Sequence, residues 1–128
     1  MARTSLQYTI RGRVPRIDFG KIAHHILDKK YELSVVLVGD ALMQKLNHEH
    51  RKKRYPTNVL AFPISKDEGE IFINVRKAEN EARALSIRAK ERIVYLFIHA
   101  CLHLKGFRHG KKMDELEKRI MKKVIKSI

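Results

Sequence analysis

The sequence holds one cysteine, no tryptophan, three prolines and half as many acidic as basic residues, 14 against 28. A lone Cys101 excludes an intrachain disulfide and fits a reducing compartment. Gly/Ser-rich linkers, internal repeats and low-complexity blocks are missing, so the 128 residues read as a single domain, 1–128, large enough for a two-layer core. The longest apolar stretch, Ile93 to Leu104, is too short to span a bilayer, and the N-terminus lacks the apolar run and cleavage site of a secretory leader. These absences predict a soluble, cytoplasmic protein with no membrane partner.

What the chain has in excess is positive charge, a formal +14 with a pI near 10.2. Such an excess repels itself in a compact fold and suits a polyanionic partner, either nucleic acid or an anionic membrane. A basic surface kept for solubility is the plainer alternative. The charge is clustered: Arg51, Lys52, Lys53 and Arg54 form a run, and the stretch from Lys105 onward sets many cations against Asp114, Glu115 and Glu117. Lys52, Lys53, Arg54, Lys111 and Lys112 are the candidate nucleic-acid contacts. Phosphate contacts of this kind give salt-sensitive affinity without sequence information.

The strongest motif is His99-Ala-Cys-Leu-His103-Leu-Lys-Gly106-Phe-Arg-His109. Helical residues four apart share a face, offset by about 40°. His99 and His103 can therefore hold one metal ion. Gly106 can adopt the left-handed conformation that ends a helix, letting the chain return His109 as a third ligand. Three nitrogens with one open position describe a catalytic site, whereas a structural zinc site uses all four. The expected cofactor is one divalent transition metal ion per chain, zinc first. Hydrogen-bonded core histidines are the competing reading. Hydrolytic zinc helices commonly read H-E-x-x-H, and here Ala100 replaces the glutamate base. Cys101 points about 200° around from His99 and reads as a small core residue.

Local patterning predicts an α+β fold, with a mostly four-stranded mixed sheet packed on helices and the metal-binding helix in the core, as in zincin-like domains. Strands are expected at Leu6–Ile10, Leu33–Val38, Val59–Pro63 and Glu70–Asn74, the last two joined by a hairpin-like turn. Asp18 is expected to cap a helix reaching about Lys30, Asp40 one over Ala41–His48, and Ser86 one through Leu104. Helices are also expected at Val75–Leu85 and Met113–Ile128, with a basic loop over Glu49–Asn58. His24 and His25 are adjacent, share no helix face and read as surface residues.

The histidine motif resembles the H-G-x-L-H-L-x-G-Y-D-H signature of the YbeY-like bacterial rRNA maturation endoribonucleases. In the same order, Leu46-Asn47-His-Glu-His-Arg51 resembles that family's L-N-x-x-Y-R, Thr57-Asn-Val-Leu-Ala-Phe-Pro63 its T-D-V-L-S-F-P, and Glu68-Gly-Glu-Ile71 its G-D-I. The resemblance covers Leu33 to the C-terminus. It implies a metal-dependent single-strand endoribonuclease acting in small-subunit rRNA 3′-end maturation and ribosome quality control, with ribosomal RNA and the small ribosomal subunit as partners. It also implies that His99, His103 and His109 are the ligands and that Arg51 is the functional arginine. A guanidinium there can clamp a phosphate and stabilise transition-state charge. A small metallopeptidase-like hydrolase and a non-catalytic RNA- or ribosome-binding module are the alternatives. Ala100, Asn58 and Arg108 depart from the family pattern, the last two by replacing aspartates that can orient ligands.

Overall fold

A computed structural model describes residues 2–51 and 57–128, Arg51 by its backbone alone. Its four strands are β1 (Arg3–Tyr8), β2 (Glu32–Val38), β3 (Val59–Ser65) and β4 (Glu68–Asn74), in the spatial order β1-β2-β4-β3. β1, β2 and β4 run parallel, and β3 is an antiparallel edge strand, so the expected mixed sheet is present. The two-residue periodicity of β2 and β4 sorts side chains to opposite faces. Leu33, Val35, Leu37, Ile71 and Ile73 enter the main core, while Val36 and Val38 enter a smaller one.

Five helices complete the domain: α1 (Phe19–Ala23), α2 (Asp40–Arg51), α3 (Val75–Leu85), α4 (Ala89–Leu104) and α5 (Lys111–Val124), the last followed by a short 3-10 turn at Ile125–Ser127. α1, α3, α4 and α5 contribute to the main core, and Met43 of α2 joins the small core on the other face. α4 runs through the centre. Ile93, Val94, Phe97, Ile98, Ala100 and Cys101 are each at most 1% exposed, as expected of a helix that is apolar nearly all round. Burial pushes the Cys101 thiol pKa up, which keeps it an unreactive core group.

Four local expectations need correction, the first being β1, which spans Arg3–Tyr8 and not Leu6–Ile10. α1 ends at Ala23, short of Lys30: the N–H groups of His25 and Ile26 bond to the carbonyls three residues back, and the Asp28 carboxylate takes the Lys30 N–H at 3.3 Å. That local bond competes with helix while the turn still buries Ile26, Leu27 and Tyr31. Ser86 is no N-cap. It ends α3 in the left-handed region (φ 57°), and α4 starts after Arg88, whose side chain makes no cap bond. A connection this short needs a residue that reverses the chain, and that demand overrides Ser86's capping preference. α2 runs on to Arg51, past the loop start expected at Glu49.

Candidate metal centre

The polar stripe of α4 faces a cleft of about 680 Å³ whose other wall is β3 and the residues leading into it. Spacings of three and four place Arg92, Tyr95, His99 and His103 along that stripe. At its end Gly106 has φ 106°, and the Phe107 N–H bonds to the Leu102 carbonyl at 3.0 Å, closing the helix. The reversed chain brings His109 back to the cleft. One ring nitrogen from each of His99, His103 and His109 lies within 4.8 Å of the others.

The second nitrogen of each helical histidine is anchored. His99 Nδ1 donates to the carboxylate of Glu117, and His103 Nδ1 donates to the Phe107 carbonyl at 3.0 Å. Both partners accept, so each Nδ1 carries a proton and each ring turns its Nε2 to the cleft. The two Nε2 atoms lie 3.1 Å apart. With His109 beside them, these nitrogens form a donor set that fits a divalent ion with one position open. Burial, then the neighbouring His99, lowers the pKa of His103, keeping it in the neutral form that a ligand needs.

Glu117, only 2% exposed, is the residue that sequence reasoning missed. Its Oε1 also accepts from the Tyr95 hydroxyl at 3.3 Å, and burial together with this carboxylate raises the tyrosine's pKa. The signal was available: Glu117 interrupts the buried stripe Met113, Ile120, Val124 of α5. A charged residue at a core spacing is seldom buried unless paired.

The other expected site residues fare differently. Lys111 and Lys112 are exposed in the first turn of α5, directly after the His109-Gly110 turn. Arg51 closes α2, but its side chain, like Lys52, Lys53 and Arg54, lies outside the described residues. Asn58 lines the cleft and donates through its amide to Glu81, not to a ligand histidine, and Arg108 is exposed. The helical imidazoles are therefore oriented by Glu117 and the Phe107 carbonyl.

The family model described as Endoribonuclease YbeY matches residues 13–128, reaching further toward the N-terminus than the motif-bearing segment from Leu33. The chain belongs to the YbeY endoribonuclease family. Relatives of that name include one from Ehrlichia chaffeensis, 38% identical over 104 residues that cover 77% of this chain and 68% of the relative. Another, from Aquifex aeolicus, is 34% identical over 109 residues covering 76% and 73%. The solution structure of TM1509 from Thermotoga maritima is similar with a TM-score of 0.65 at 25% identity, covering 94% of this chain and 88% of that one. In this YbeY family member no helix among the described residues is long and apolar enough to cross a membrane.

Proposed function

We propose that this chain is a metal-dependent endoribonuclease cutting single-stranded RNA in small-subunit rRNA 3′-end maturation and ribosome quality control, with one domain over residues 1–128 acting in the cytoplasm on the ribosomal subunit. The observation that carries the chemistry is the convergence of three imidazoles, two with their outer nitrogens already bonded, in an open cleft of a protein with net charge +14. His99, His103 and His109 would hold one ion, zinc by preference for this donor set and geometry. A divalent ion bound there supplies Lewis-acid polarisation of a phosphodiester and a more acidic water.

The chain's own residues do the rest. Glu117 and the Phe107 carbonyl hold the helical imidazoles in one tautomer and one orientation. Arg51 is assigned to the phosphate, where its planar fork can grip two oxygens as charge develops. Lys52, Lys53, Arg54, Lys111 and Lys112 are assigned to the RNA backbone. The peptidase alternative lacks its base, since Ala100 occupies that helix position and is buried. The structural-metal alternative calls for a fourth ligand, and the cluster found among the described residues has three.

Elemental analysis of the purified protein, followed by RNA cleavage with and without chelator, tests this reading. About one ion per chain is expected, from the three-nitrogen cluster of His99, His103 and His109, with cleavage lost on chelation. Cleavage that survives complete metal removal would overturn it.

A further inference from the structure

The cleft continues beyond the histidines. Seven residues back from His99, roughly 10 Å by helical rise, α4 carries Arg92, and across from it stands Asn58 at the entry to β3. Arg92 Nε donates to Glu81 Oε1 at 3.0 Å, and the Asn58 amide donates to the two oxygens of the same carboxylate at 3.3 and 3.2 Å. The Arg92 guanidinium carbon also sits 5.2 Å from the centre of the Tyr95 ring. The guanidinium is thus held at one edge by a carboxylate and on one face by an aromatic ring.

This pairing differs from a purely structural ion pair. Arginine and carboxylate usually meet fork to fork, with two parallel hydrogen bonds. Here Glu81 engages Nε alone, and Nη1 and Nη2 make no hydrogen bond to a described residue. Those two groups form the edge that grips two phosphate oxygens. Arg92 lines the cleft, and its side chain is only 21% exposed, so an anion bound there would meet a partly desolvated charge.

Asn58 explains why the family's aspartate is absent at this position. An aspartate could not donate to Glu81 and would set two carboxylates at hydrogen-bond distance, where like charges oppose ionisation. With an amide at 58, Glu81 can accept from both neighbours at once.

We propose that Arg92 anchors a second phosphate subsite in the cleft, binding the backbone phosphate of a nucleotide next to the scissile bond, with Glu81 as its positioning residue and Asn58 holding Glu81. The proposal rests on the ribonuclease reading, and it adds a residue that binds substrate without touching the metal.

The test uses metal-loaded full-length protein and short single-stranded RNAs in which one linkage at a time, on either side of the cleaved one, is a neutral methylphosphonate. Within each protein the ratio of KM for neutral and charged RNA is measured, so any change in the folded fraction cancels. For the parental protein one linkage near the cut should show a ratio of about ten, the loss expected for one charge-assisted contact. In Arg92→Gln that ratio should fall to roughly two or less, with the other linkages and the metal content unchanged. Glu81→Gln should lower the same ratio, although removing a negative charge beside Arg92 would by electrostatics alone strengthen RNA binding. Ratios at every linkage that match between the parent and Arg92→Gln would overturn the subsite while leaving the nuclease reading intact. Failure of the parent to cleave any of these RNAs would remove both.

Discussion

The two halves of the metal centre are built differently. His99 and His103 project from the buried helix α4, each fixed through Nδ1 by a second group. His109 is exposed on the turn between Gly106 and Gly110, both with positive φ. The helical half is preorganised, because packing and hydrogen bonds fix its rotamers before any ion arrives. The turn half is placed by backbone conformation and by ring contacts with His99 and His103, without the outer hydrogen bond that each helical imidazole has. Affinity should therefore originate in α4, with the turn completing the coordination and leaving the open side to substrate.

The largest effects should separate the halves directly. His103→Ala should abolish metal binding, since it removes one of the two converging anchored nitrogens. His109→Ala should retain weakened binding through the pair on α4. Elemental analysis after dialysis against a metal-buffered solution checks both, and equal loss in the two variants would break the distinction. Arg51, assigned to substrate and not to metal, should behave unlike either histidine. Arg51→Ala should slow single-turnover cleavage at saturating RNA by on the order of 100-fold, with metal content unchanged. Arg51→Lys should rescue little, as it keeps the charge without the fork. Parental rates for Arg51→Ala at saturation would remove its catalytic assignment.

Glu117 sharpens the comparison by testing whether the helical half owes its affinity to the second bond. Glu117→Gln keeps the shape but weakens the acceptor, and loss of such an outer partner typically lowers metal affinity about 10- to 100-fold. Competition with a chelator of known affinity measures the change. The effect should be confined to metal affinity if Tyr95 and His99 stay packed, so a thermal melt of the metal-free variant is the control. Unchanged affinity would mean that α4 packing alone holds His99.

The same division decides what could be read from sequence. The HxxxH spacing and the glycine after it are local, and local periodicity translates directly into a shared helix face and a chain reversal. Glu117 lies 18 residues from His99, so only the fold joins them. Its clue, a charge within an apolar stripe, is easily lost among the cations of α5. The number of strands was legible from β-branched runs and turn residues, whereas their mixed directions and the order β1-β2-β4-β3 depend on pairing between distant segments. Ser86 misled because the residue types that start helices also tolerate tight reversals, and the short α3–α4 connection decided its role.

Acid should expose the helical half in isolation. In the metal-free protein, burial and then His99 lower the pKa of His103, with His109 acting in the same direction and the Phe107 carbonyl and Glu117 opposing. The folded state therefore disfavours the imidazolium. Between the lowered value and the ordinary 6.5, the unfolded chain binds more protons than the folded one, and stability rises with pH across that window. Above the window the penalty is gone, and below it the penalty is complete. Urea unfolding of chelator-treated protein should accordingly show a lower midpoint at pH 5 than at pH 7.5, pH values chosen roughly 1 unit or more either side of the ordinary histidine range. His103→Gln, which cannot be protonated, should flatten that difference. Saturating metal should raise the midpoint at pH 7.5 more than at pH 5, because each ligand must release its proton to bind. An undiminished acid loss in His103→Gln would place the sensitive group elsewhere and leave His103 without the neutral character that a ligand needs.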